Sequence, residues 1–224
     1  MSHIKKYYDF MTGVNHNGEL FYNRYRLMID FYKNTDVVQD LIIGLERINN
    51  FLSEIVERSV FMKDSNTEFI EKYHEANIPV LTVPGPGPLD PVILHVLVTK
   101  MNAILEESLI ITSAELTSYY GGEIVYIWND EDEDDELHEI INLDNEALWW
   151  ASPSPRYISY DPEVDVEEIE SENPWPIDWE MFNLGWYDES ENDDESEIVF
   201  TVDQELNKKL NDDDSIIDVD FTKK

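Results

Sequence analysis

Between Leu20 and Lys33 the residues Leu20, Tyr22, Tyr25, Leu27, Met28, Phe31 and Tyr32 recur close to the spacing of one helical face. This predicts a first helix, and Asn34-Thr35-Asp36 then offers turn and N-cap chemistry. From Val37 the positions Val38, Leu41, Ile42, Leu45, Ile48, Leu52, Ile55 and Val56 advance in steps of three and four. That rhythm predicts a long amphipathic helix to about Met62, with its stripe in the core and Glu46, Arg47, Glu54 and Glu57 outward. A shorter helix is expected from Thr67 to Ala76. The rhythm then changes. Ile78-Pro79-Val80-Leu81-Thr82-Val83 is short, apolar and β-branched, hence a strand, and Pro84-Gly85-Pro86-Gly87-Pro88 stops it. Asp90 is placed to cap, and Pro91 to open, a helix running through Glu107. Leu109-Ile110-Ile111-Thr112 resumes strand character, and Gly121-Gly122 turns the chain into a further strand from Glu123 to Trp128, a candidate hairpin. A right-handed crossover makes the first two of these strands parallel if they share a sheet, and the hairpin adds an antiparallel one. The expected fold class is α+β, a mixed sheet covered by helices.

After Trp128 the pattern breaks into Asn129-Asp130-Glu131-Asp132-Glu133-Asp134-Asp135-Glu136, which reads as a solvated loop. Apolar segments return at 140–150, 156–160, 175–186, 198–202 and 216–221, separated by acidic or proline-containing stretches. Short strands and irregular loops are expected there, and no repeat of fixed period occurs. The chain thus divides into a helical and α/β core, 1–128, and an acidic, tryptophan-rich half, 129–224, packed on the same core.

Charge sharpens that division. Residues 121–224 hold 34 of the 50 Asp and Glu, 5 of the 15 Lys and Arg, and all six tryptophans, in a chain of net charge −35. A disordered acidic tail is poor in aromatics, whereas Trp128, Trp149, Trp150, Trp175, Trp179 and Trp186 supply apolar area that water disfavours exposing. Packing is expected for four or more of them, with one or two left as surface anchors that stack on a partner's arginines. The field of such a chain repels phosphate backbones and anionic head groups and attracts basic surfaces, which argues against direct nucleic-acid or membrane binding. Cysteine is absent, so disulfides, thiolate nucleophiles and Cys-based metal sites are excluded. Lys5-Lys6 is followed by no apolar signal region, and no run of 18 apolar residues occurs, so a cytoplasmic location is expected.

Little in the sequence supports catalysis. Pro84-Gly85-Pro86-Gly87-Pro88 lacks the amide hydrogens of a phosphate cradle and reads as a rigid turn. His138-Glu139 begins like a zinc-peptidase helix, but Asn142 stands where the second histidine is needed. Asp130, Asp132 and Asp134 mimic the start of a calcium loop, yet Asp135 replaces its glycine and Ile141 its final glutamate. His95, in an apolar helix, reads as a hydrogen-bonded core residue. Paired carboxylates for glycoside hydrolysis are available, but a linear acidic run specifies no dry pocket that would raise one pKa. No cofactor is expected.

Val80-Leu81-Thr82-Val83-Pro84, Pro88-Leu89-Asp90, Lys100-Met101-Asn102-Ala103-Ile104-Leu105-Glu106, Leu109-Ile110-Ile111-Thr112 and Trp149-Trp150-Ala151-Ser152-Pro153 together resemble uncharacterised proteins of tailed bacteriophages, over roughly residues 36–160. The resemblance implies a phage origin and a bacterial cytoplasm, and transfers no catalytic residue. With the acidic half it leads to an expected role as a non-enzymatic inhibitor or decoy, a nucleic-acid mimic for the basic groove of a host enzyme. The expected partner-binding residues are Asp130, Glu131, Asp132, Glu133, Asp134, Asp135 and Glu136, then Glu163, Asp165, Glu167, Glu168, Glu170 and Glu172, and then Asp188, Glu189, Glu191, Asp193, Asp194 and Glu195. The alternatives are a phage structural or assembly protein, and an immunity protein that neutralises a basic toxin.

Overall fold

In a computed structural model, which describes residues 3–130, 149–155 and 178–187, the chain opens with a long antiparallel hairpin of β1 (His3–His16) and β2 (Glu19–Lys33). Tyr8, Phe10 and Val14 on β1, with Tyr25, Leu27, Ile29 and Phe31 on β2, point to one side and are buried in the main core. Tyr7, Asp9, Met11, Arg24 and Arg26 alternate with them and face outward. The two-residue turn is Asn17-Gly18, with φ of 53° and 88°, the left-handed pair that matches the twist of a hairpin. The Gly18 amide also donates to Asn15 Oδ1 at 3.0 Å. The helix expected over 20–33 is therefore a strand. Leu20, Tyr22, Met28 and Tyr32 place apolar groups on its outer face as well, which hides the alternation of the inner one.

The long helix expected to Met62 is divided. It comprises α1 (Val38–Asn50), a π-helical turn (Phe51–Val56) and then β3 (Val60–Lys63). Its end is fixed from a distance: the Thr12 hydroxyl of β1 lies 2.7 Å from the Val56 carbonyl and 2.9 Å from that of Ser59, and Ser59 Oγ donates to Ile55 at 2.6 Å. With these terminal carbonyls occupied, the chain turns, and β3 alternates between two clusters, Phe61 in the main core and Val60 and Met62 in a smaller one. At the start of α1 the cap is Val37 rather than a polar side chain; Thr35 Oγ1 instead accepts from the Val37 amide at 3.1 Å.

The remaining elements are α2 (Thr67–Glu75), β4 (Val80–Val83), α3 (Asp90–Leu105), β5 (Leu109–Ser118) and β6 (Tyr126–Asn129). The six strands lie in the order β4-β3-β1-β2-β5-β6; β1, β3 and β4 are parallel neighbours and the other pairs antiparallel. The fold is α+β, a mixed sheet with helices packed on it. β4 and β5 run in the same direction with three strands between them, and β6 completes the hairpin with β5. α1, the π-helical turn and α3 cover one face, while α2 lays Phe69, Ile70 and Tyr73 on Val60, Met62 and Val80 at the opposite face. Among the described residues no helix covers that second face over β1, β2, β5 and β6. Asp90 is not a cap: Leu89 holds that position, and the Asp90 carboxylate accepts from Ser118 Oγ at 2.6 Å. No helix among the described residues is long and apolar enough to cross a membrane. By its contacts the chain divides into a unit Met1–Gly185 and a second, Trp186–Lys224.

Candidate functional site

Of the expected partner-binding residues only Asp130 is described. It is exposed at the end of β6, where its amide donates to the Thr112 carbonyl at 3.2 Å and extends the pairing with β5. Glu131 to Glu136, Glu163 to Glu172 and Asp188 to Glu195 lie outside the described residues, as do Asp132, Asp134 and Ile141 of the calcium-like run. The structure does describe the segments 149–155 and 178–187, and each of them meets a buried cation.

Lys100 is the first. α3 is apolar on nearly every side, with Val92 to Val98, Met101, Ile104 and Leu105 buried, so a lysine within it is carried into the core. Lys100 has no solvent exposure, and its ammonium donates to three main-chain carbonyls: Trp149 at 2.9 Å, Ser152 at 2.6 Å and Ser154 at 2.6 Å. Three donors meet three acceptors, so the group is fully satisfied without a carboxylate. Burial pushes the Lys100 amine down to about 7, while the carbonyl dipoles favour its charged form. Trp149 adds a second tie, its indole donating to the Thr82 carbonyl of β4 at 2.8 Å. The adjoining Trp150 is buried, edge-on to Trp149 with ring centroids 5.7 Å apart.

Arg47 is the second, and it corrects the expectation that this residue points outward. It is 3% exposed. Its Nε donates to the Leu184 carbonyl at 2.7 Å, and its Nη1 lies 3.2 Å from the Ile104 carbonyl and 2.7 Å from Glu106 Oε2. Its guanidinium stands 5.2 Å from the ring centroid of Trp179, whose indole donates to the Pro153 carbonyl at 2.8 Å. Burial lowers the Arg47 pKa, opposed by the Glu106 carboxylate. A single side chain thus ties α1, the C-terminal end of α3 and the segment 178–185 together. Arg47 also relieves a helix end of a carbonyl that has no partner within the helix.

Segments far apart in sequence meet at this site: Lys100 with 149–154, Trp149 with Thr82, and Asn102 Oδ1 with the Ile111 amide at 3.2 Å. Trp128, Trp149, Trp150 and Trp179 are all buried in the main core; Trp175 lies outside the described residues, and Trp186 belongs to the second unit. His95 Nδ1 donates to the Pro91 carbonyl one turn back, at 2.9 Å. No group of three or more acidic or histidine side chains among the described residues is arranged to hold a metal ion. No protein-family model matches the chain, and no curated protein matches it.

Proposed function

We propose that the protein is a non-enzymatic, phage-encoded acidic inhibitor that occupies the nucleic-acid groove of a basic host enzyme, such as a defence nuclease. The observation that carries this reading is the placement of charge. The stretches 131–148 and 156–177 hold 16 acids against one base, Arg156, and the described segment that follows each in sequence is held by a buried cation, Lys100 for 149–154 and Arg47 for 179–184. Duplex DNA presents one negative charge per ~1.7 Å of axis, and a groove lined by lysine and arginine accepts carboxylates offered at similar density. The acidic run from Asp188 to Glu195 adds to the same field.

The test is capture from bacterial lysate on the immobilised chain at about 50 mM salt, elution at about 500 mM, and competition of the eluted protein against DNA. A nucleic-acid enzyme released by salt and displaced from DNA by the chain is the expected result. Retention that is indifferent to salt, or retention of a virion shell protein alone, would sink the decoy and favour an assembly role.

A further inference from the structure

The sheet face over β1, β2, β5 and β6 is electrically unlike the rest of the chain. Across it Asp9 stands opposite Arg26, Met11 opposite Arg24, Lys5 opposite Asp30, and Glu115 opposite Ile127. Arg26 Nε lies 3.1 Å and Arg24 Nη2 4.0 Å from Asp9 Oδ1, and Lys5 Nζ 3.4 Å from Asp30 Oδ2. With Glu115, three acids share with three bases one face of a chain whose net charge is −35. Among them stand Tyr7, Met11, Tyr22 and Ile127, exposed by 63%, 54%, 61% and 58%.

We infer that this face is the interface of a homodimer in which two copies pack sheet against sheet. A strongly basic or acidic partner finds no net charge on it to recognise. A second copy does find a match, because a two-fold axis sets the same patch against itself, and only a patch with both signs in equal number does so without repulsion. Where acids are in excess, two copies repel. The composition fits as well, since tyrosine, methionine and arginine are the residues enriched at such contacts. Strands of 14, 15, 10 and 4 residues, about 4.8 Å apart with ~3.4 Å per residue, give a plane of roughly 700 Å². Its corrugated accessible surface approaches the ~800 Å² per partner of a standard interface. Pairing through this face leaves the helical layer, with Lys100 and Arg47, turned outward on both copies.

Sedimentation equilibrium of the full chain at about 50 mM and about 500 mM salt tests this. The expected result is a monomer–dimer equilibrium that tightens as salt screens the like charges. That sign is opposite to the one expected for an acidic decoy on a basic partner, so either reading can fail alone. Tyr7→Glu and Ile127→Glu, both at exposed positions, are expected to weaken the dimer by about tenfold or more with an unchanged circular dichroism spectrum. Val38→Glu, at the exposed start of α1, is expected to leave it intact. A chain that stays monomeric to about 100 μM at both salts overturns the inference. So does a dimer indifferent to both sheet-face variants, or a photo-cross-linker at position 7 that captures only foreign protein.

Discussion

On the helical side of the sheet Lys100 and Arg47 are buried and give most of their hydrogen bonds to main-chain carbonyls, whereas on the face that no described helix covers Lys5, Arg24 and Arg26 stay in solvent and pair with Asp9 and Asp30. The same residue types do different work in the two places. A cation removed from water needs every donor met, so it fixes the backbone that meets it; a cation left in water trades one partner for another at little cost. Seven of the ten lysines and arginines among the described residues pair with a carboxylate, Arg47 included, so burial against carbonyls is the exceptional use of a base in this chain. Two of them hold the tryptophan-bearing segments on the core.

The contrast is broken most sharply at Lys100. Lys100→Met keeps the apolar stem but strips three carbonyls of their donor, and a loss of about 3–5 kcal/mol in urea unfolding is expected, with new proteolysis within 149–155. A loss under about 1 kcal/mol would mean that the carbonyls find water and that the clamp is ornamental. Arg47→Lys keeps charge but not the fork that reaches Leu184, Ile104 and Glu106 together; about 1–3 kcal/mol should be lost, with a red shift in tryptophan emission as Trp179 loosens. Titration separates the two sides further. Because burial holds the Lys100 amine near 7, below its usual 10.5, the unfolded chain binds the extra proton between those values, so stability should rise with pH across that window. The slope reaches at most about 1.4 kcal/mol per pH unit, and Lys100→Met should abolish it in chemical denaturation from pH 7 to pH 9. Arg26→Ala on the opposite face should change monomer stability by no more than about 0.5 kcal/mol, an effect erased by salt.

The sequence makes some of this architecture legible. α2, α3, β4 and the β5–β6 hairpin follow from periodicity and from proline and glycine punctuation, because each is decided by its own few residues. β1 and β2 escape that reading since the outer face of the hairpin is apolar too, although Asn17-Gly18 is the strongest short-range hairpin signal in the chain. The end of the second helix depends on Thr12, more than forty residues upstream, and no local pattern records it. The buried cations left a trace. Arg47 sits three and four residues from Gly44 and Ile43 and next to Ile48, inside the buried stripe rather than opposite it, and Lys100 is the lone lysine or arginine in a helix apolar all round. Which carbonyls they would serve is a tertiary fact, since Trp149 and Leu184 lie far along the chain.

The Trp149 indole has a consequence for solubility. Among the described residues β4 is an edge strand, paired only with β3, and an open edge offers its free carbonyl and amide groups as a template for strands of other molecules. By donating to Thr82, Trp149 occupies one of those sites and sets a bulky ring beside it. Releasing the segment that Lys100 holds would therefore uncover an adhesive margin, and the damaged chain would be lost to aggregation at concentrations where the intact one stays dissolved.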